Sequence, residues 1–198
     1  MEEYKEKYKL SGLIFLGYQG IGKSTIGGKH NCIDLESSIF SQRRDVNPDW
    51  YIDYCELAIH LANQGYTVLM STHVEVRKTL NYMIKKPYHY RVICIVPDLS
   101  LRNAWIDKLI DRFQLNKELK DFRALHNAVY MYESNTTDIL NQAKRFHFSY
   151  GVIENMNYDF EETILGFQQL YLNDFTNSGN IPFEEVQGGP FKIKIDVE

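Results

Sequence analysis

Gly17-Tyr18-Gln19-Gly20-Ile21-Gly22-Lys23-Ser24-Thr25 is a complete G-x-x-x-x-G-K-S segment. Leu10-Ser-Gly-Leu-Ile-Phe-Leu16 precedes it, a short apolar run that reads as a buried strand. After it, Lys23-Ser-Thr-Ile26 opens a helix expected to reach about Lys29. Strand, glycine-rich turn and helix in that order form a setting that cradles phosphate. Glycines let backbone N–H groups turn inward as a nest for phosphate oxygens. The helix start adds unpaired donors and a positive dipole end. Gly17, Gln19, Gly20, Ile21, Gly22, Lys23, Ser24 and Thr25 are therefore the candidate nucleotide-binding residues. Lys23 would reach the β- and γ-phosphates, and the Ser24 hydroxyl would ligate Mg²⁺. The alternative is a glycine-rich turn that binds nothing.

Outward from this segment, strand and helix patterns alternate. Cys32–Leu35, Tyr66–Ser71, Tyr90–Val96 and Phe148–Ile153 read as strands. Trp50, Tyr54, Leu57, Ala58 and Leu61 recur at helical spacing, which predicts a helix over Asp49–Asn63 with Asp49 as its N-cap. Val74–Lys86 reads as a helix ended by Pro87. Trp105, Ile106, Leu109, Ile110 and Phe113 mark a helix from Ser100 onward. Leu119, Phe122, Leu125 and Val129 mark another, with Ser134–Lys144 continuing it after a break. Phe160, Ile164, Phe167 and Tyr171 mark the last. The expectation is an α/β fold of three layers: a parallel sheet of about five strands with helices on both faces. Residues 1–172 form this domain. Residues 173–198 read as a C-terminal appendage, in which Phe191–Val197 alternates as an edge strand would, or is a partner-binding or poorly ordered tail.

Composition sets bounds. The 198 residues suffice for one domain with a substantial core, and 24% charged with 44% apolar residues is ordinary for a globular chain. A net charge of −4 argues weakly against a general affinity for nucleic-acid backbone. Cys32, Cys55 and Cys94 lie inside predicted elements and read as core residues of a reducing compartment. No apolar run approaches membrane-spanning length, and Met1–Lys7 is too polar for a signal peptide, so a cytoplasmic protein is expected.

A second group of residues converges on the same end of the expected sheet. Ligands of parallel sheets sit beyond the carboxyl ends of the strands. Asp34 and Glu36 close the second strand, where alternation points both to one side. Two carboxylates there could orient Mg²⁺-bound water, accept the proton of an attacking hydroxyl, or bind an acceptor. For Glu36 the competing role is the acidic cap of a following helical turn. The third strand ends in Ser71-Thr72-His73, with no aspartate where many nucleotide triphosphatases place one for Mg²⁺. That shifts metal support toward Asp34, with Thr72 and His73 as polar contacts. Arg43, Arg44 and Arg77 are candidates for holding an acceptor's phosphate, since guanidinium forks match its oxygens. Arg102, Lys108 and Arg112 lie on the helix after the fourth strand, where cations could close as a lid over a transferring phosphoryl group. The bland alternative is a solvated face, with Lys108 paired to Asp111.

Together these residues resemble P-loop nucleoside and nucleotide kinases. The resemblance rests on Gly17–Thr25, the Asp34-x-Glu36 pair and the basic helix after the fourth strand, and it covers about Leu10 to Phe113. The acidic pair is also similar to that of shikimate and gluconate kinases. Val68–His73, Cys94–Asp98 and Leu101–Arg112 look like the corresponding runs of small phage-encoded nucleotide kinases. The resemblance implies the P-loop fold, ATP as donor and Mg²⁺, with Lys23, Asp34, Glu36 and Arg112 as catalytic candidates. The expected activity is ATP-dependent phosphoryl transfer to a nucleoside monophosphate, nucleoside or similar small acceptor. The alternatives are a kinase acting on a nucleic-acid strand end or modified base, and a P-loop switch that hydrolyses nucleotide.

Overall fold

Leu13, Ile14, Phe15 and Leu16 are all fully buried. Such an unbroken apolar run is what a strand covered on both faces requires. In the computed structural model, which describes residues 7–42, 45–172 and 191–194, this strand is β1 (Leu13–Gly17) and lies at the centre of the sheet. Around it stand β2 (Cys32–Asp34), β3 (Thr67–Met70), β4 (Val92–Pro97) and β5 (Ser149–Ile153), in the order β2-β3-β1-β4-β5 and all parallel. Register is fixed by pairs such as Phe15 with Leu69 and Leu16 with Cys94. β6 (Phe191–Lys194) pairs antiparallel with the outer edge of β5. The expected three-layer α/β architecture with five parallel strands is the one observed; of the candidate edge strand Phe191–Val197, Phe191–Lys194 joins the sheet and residues 195–197 lie outside the described residues.

The helices are α1 (Lys23–Ile26), α2 (Ser37–Ser41), α3 (Trp50–Asn63), α4 (Val74–Met83), α5 (Arg102–Asn116), α6 (Leu119–Phe146) and α7 (Phe160–Leu172). The chain runs from β1 outward to β2, then returns across the sheet through β3 and β4 to β5. Right-handed crossovers therefore place α1 on one face and α3, α4 and α6 on the other. The contacts agree: α7 packs beside α1, α4 touches α3 and α6, and α6 lies along β4 and β5. Phe167 of α7 meets Phe15 of β1 edge-on at 5.4 Å. The three cysteines are buried and free. Among the described residues no helix is long and apolar enough to cross a membrane.

Several boundaries differ from expectation for physical reasons. α1 stops at Ile26 rather than Lys29: Gly27 turns out of the helix with ψ of 128°, and it passes so close to β2 that a Cβ there would lie 3.0 Å from Asp34 Cβ. Asp49 precedes α3 but does not cap it; its Oδ1 accepts instead from the Tyr51 hydroxyl at 2.7 Å. α4 ends at Met83, since Ile84 turns extended and bridges to Tyr8. Pro87 then sits within a 3₁₀ turn over Lys86–Arg91, which delays β4 to Val92. α6 is one unbroken helix of 28 residues. Its buried stripe is Ala124, Ala128, Tyr132, Thr136, Ile139 and Ala143, whereas Leu119 and Phe122 are 63% and 49% exposed. Small residues let α6 lie close against β4 and β5; of the apolar residues marked in the sequence, Leu119 and Phe122 face outward, while Leu125 packs against the edge of the core and Val129 is half-buried.

The closest backbone approach in the core is at Gly12, where a Cβ would lie 2.1 Å from the Ala62 carbonyl oxygen of α3. Gly12→Ala must push α3 off the sheet and should cost about 2–4 kcal/mol. Gly166, exposed inside α7 with open space around it, gives the opposite sign: Gly166→Ala should gain about 0.5–1 kcal/mol. Urea unfolding of the two variants beside the parent chain measures both.

Candidate functional site

β1 ends at Gly17, and the chain turns through Gly22 into α1. Gly20 and Gly22 have φ of +78° and +111°, a region other residues rarely adopt. A Cβ on Gly20 would also lie 2.8 Å from Leu109 Cδ2 of α5. The loop's carbonyls are held. Lys23 Nζ donates to Gly17 O at 2.7 Å and to Tyr18 O at 3.4 Å. Trp105 Nε1 donates to Gln19 O at 3.0 Å, and the Tyr158 hydroxyl donates to Ile21 O at 2.9 Å. The amides of Gly20, Gly22, Lys23 and Ser24, by contrast, meet no acceptor among the described residues. Ser24 and Thr25 are exposed beside them. The Gln19 side chain turns away, its Oε1 accepting from Asn127 of α6 at 3.4 Å. Tyr18 is buried edge-on against Trp105 and Tyr132, and that burial pushes its hydroxyl up to about 12. With α1 only four residues long, a helix dipole adds little, so the loop amides and Lys23 carry the capacity to bind anions.

The charged groups gather at the same end of the sheet. Burial holds the Lys23 ammonium down to about 8; Asp34 and then Glu36 pull it upward, and Arg112 opposes them. Burial raises Asp34 above the usual carboxylate range, with Glu36 adding to the shift and Lys23, Lys120 and Arg112 acting against it. Lys23, Glu36, Arg112 and Lys120 thus all lie within electrostatic reach of Asp34. Glu36 is committed to local structure: Oε1 accepts from the Ser38 amide at 3.3 Å and caps α2. While its backbone belongs to β2, the Asp34 carboxylate accepts no hydrogen bond among the described residues. Of the two carboxylates, Asp34 is the one available for chemistry.

The remaining candidates separate. Arg112 Nε lies 2.6 Å from Oδ1 of Asp121, whose side chain is fully buried. The N–H is not aimed along that line, and neither carboxylate oxygen accepts a hydrogen bond, so the contact is Coulombic. Lys108 is neither paired with Asp111 nor free over the cleft. It donates to the Tyr158 hydroxyl at 2.6 Å and lies 4.8 Å and 4.7 Å from the Trp105 and Tyr158 ring centres. Burial first, and Arg112 second, lower its affinity for the proton. Arg102 donates to the Val129 carbonyl at 2.8 Å and ties α5 to α6 instead of projecting as a lid. Arg77 is 3% exposed and pairs with Asp138 of α6 at 2.6 Å, which makes it an internal strut between helices. Thr72 is half-buried and His73 exposed at the β3–α4 turn, with the His73 ring edge-on to Trp50 at 5.6 Å. Arg43 and Arg44 lie outside the described residues. Lys120, Asp121, Trp105 Nε1 and Tyr158 belong to the site without having been singled out for it. They carry no local motif, and only the α5–α6 hairpin and the β5–α7 connection bring them to the loop. Among the described residues no cluster of three or more His, Cys, Asp or Glu could hold a metal ion alone.

The chain matches no protein-family model and no curated protein.

Two titration results follow. Between about pH 8 and the unfolded value near 10.5, folded Lys23 has lost its proton while the unfolded chain keeps it. The Lys23 contribution to stability therefore rises with pH across that window, and the full desolvation cost is present below it. Lys23→Met should be more stable than the parent at pH 7 by about 1 kcal/mol, the relieved desolvation being partly offset by two lost hydrogen bonds. That gap should close at about pH 9 and reverse by pH 10.5, since the shift is worth about 3 kcal/mol in all, as read by urea unfolding at pH values across the window. In Asp34→Asn the main opposing charge is gone, so the Lys23 side-chain midpoint should move below 8 in an NMR titration.

Proposed function

We propose that the chain is a phosphotransferase that moves the γ-phosphoryl group of ATP to a nucleoside monophosphate, nucleoside or similar small acceptor. The observation that carries this reading is the loop itself. Its carbonyls are fastened, its Gly20, Gly22, Lys23 and Ser24 amides have no acceptor among the described residues, and a desolvated lysine stands beside a partly buried carboxylate. Those donors fit the oxygens of a polyphosphate, and the exposed Ser24 hydroxyl with Asp34 fits the support of Mg²⁺. When bound, Mg²⁺ would neutralise charge on the phosphate oxygens.

The chain's own groups divide the remaining work. Lys23, already bent over the loop, neutralises charge that develops on the transferring oxygens. It gives up two carbonyl contacts to do so, and a polyanion restores the proton affinity that burial has lowered. Asp34 orients the metal's water or takes the proton of an acceptor hydroxyl; its raised proton affinity suits the second task. An acceptor phosphate needs no such base, since its oxygen is already anionic. Arg112, held by Asp121, and Lys120 bring positive charge to the same cleft from the α5–α6 hairpin.

One observation favours a nucleic-acid strand end as acceptor. Phe122, His126 and Tyr130 form a ladder along α6, with ring centres 6.2 Å and 4.8 Å apart and Tyr130 74% exposed. It begins beside Lys120, which is within electrostatic reach of Glu36. Exposed rings beside cations can stack on unpaired bases.

Labelled ATP incubated with nucleosides, nucleoside monophosphates and oligonucleotides, followed by thin-layer separation, tests both readings. Label is expected on a mononucleotide or nucleoside. Label on oligonucleotide alone selects the second reading, and label released only as free phosphate removes both. Lys23→Ala should abolish transfer with the fold intact, a loss of several kcal/mol of transition-state stabilisation. Asp34→Asn should lower kcat about a hundredfold while ATP still binds. Steady-state kinetics with ATP-binding calorimetry checks both variants.

A further inference from the structure

We infer that Trp105, Lys108 and Tyr158 are positioning residues that aim two particular amides of the Gly17–Thr25 loop, an inference that rests on the phosphate-binding part of the reading above. A trans peptide unit is planar, and its C=O and N–H point in opposite directions. The carbonyl of Gln19 and the amide of Gly20 belong to one such unit; so do the carbonyl of Ile21 and the amide of Gly22. Trp105 holds the first carbonyl at 3.0 Å, and Tyr158 holds the second at 2.9 Å. Each outside donor therefore turns one amide to the opposite side of the loop. Those two amides are among the ones that meet no acceptor within the described residues. Both units end in a glycine with positive φ, and a peptide unit next to glycine can flip with little steric cost. Sequence alone leaves these amides free to turn; the two hydrogen bonds supply the restraint.

Lys108 sets the direction of the second bond. An ammonium donates and never accepts, so the Tyr158 oxygen must accept from Lys108 at 2.6 Å. The hydroxyl proton is then left to point at Ile21 O. The rings of Trp105 and Tyr158 stack at 5.8 Å and 13°, and Lys108 lies over both. Trp105, Lys108 and Leu109, which closes on Gly20, all come from α5. Tyr158 comes from the connection between β5 and α7. The shape of the loop is thus coupled to the seating of α5.

Tyr158→Phe removes one oxygen atom and keeps the ring. Trp105→Phe removes the other donor, and Lys108→Met keeps the apolar stem over the rings. The readouts are calorimetric affinity for MgATP and for inorganic tripolyphosphate, the backbone amide resonances of Gly20 and Gly22, and the melting temperature. Tyr158→Phe should weaken both polyphosphates about tenfold, the worth of one oriented hydrogen bond. It should shift the Gly22 amide while leaving that of Gly20 nearly in place. Trp105→Phe should give the reverse pattern of shifts, and Lys108→Met a smaller copy of the Tyr158→Phe effect. A folded Tyr158→Phe chain with unchanged affinity and an unmoved Gly22 resonance overturns the inference. So does a lowered melting temperature with both amides shifted equally and affinity retained. Failure of the parent chain to bind either polyphosphate overturns the inference and the kinase reading together. Binding without any transfer removes the kinase reading alone, and the Tyr158→Phe comparison still decides the role of the fastening residues.

Discussion

A hydrogen bond to a carbonyl oxygen fixes two groups at once, because the amide of the same peptide unit must then face the other way. The Gly17–Thr25 loop depends on this. Its glycines adopt backbone conformations that cost an unrestrained chain much entropy to hold. Lys23 restrains the loop from within, and Trp105 and Tyr158 restrain it from outside. The donors come from α1, α5 and the β5–α7 connection, so the shape of a short segment is set by elements that span most of the chain. The parallel sheet makes this possible. It delivers the end of β1 between β3 and β4, and the α5–α6 crossover and the β5–α7 connection both leave from that same end of the sheet.

Electrostatics add a second constraint. A lysine largely removed from water gains from being discharged, and here the opposing pull comes mainly from Asp34. Glu36 contributes less and spends one oxygen on the α2 cap. Arg112 would intensify the repulsion if it swung freely, but it is held against the buried carboxylate of Asp121. The result is a cluster in which the cations Lys23, Arg112 and Lys120 stand among the carboxylates Asp34, Glu36, Asp121 and Glu118, so that each charge has an opposite neighbour.

The parts of this organisation that rest on local pattern were legible in the residues. β1, the loop and the start of α1 follow from apolar run, glycine spacing and Lys23-Ser24. The alternation of strands and helices follows from periodicity, and so does the parallel sheet. Longer-range features were not legible. Leu119 and Phe122 carry the stronger hydrophobic signal on α6, yet alanines face the sheet, because closeness to β4 and β5 selects for small volume and not for hydrophobicity. Arg77 reads as a phosphate ligand by position, but Asp138, 61 residues away in sequence, claims it. Lys108 reads as a lid cation, or as surface charge, until Tyr158, 50 residues on, supplies its partner. Tyr158 itself sits in a polar stretch with no motif. Contacts of this kind depend on how helices lie across the sheet, and no window of sequence contains them.

β6 has a bearing on how the molecule meets its own copies. Five parallel strands would leave two open margins of unpaired backbone groups, each able to recruit a strand from another chain. On the β5 side, Phe191–Lys194 already occupies those groups. On the other side stands β2, only three residues long, which offers too few bonds to hold a foreign strand. β6 thereby becomes the margin itself, so the sheet ends at both sides in a short strand, of four residues at β6 and three at β2, and the long apolar strands of its interior are kept away from its margins.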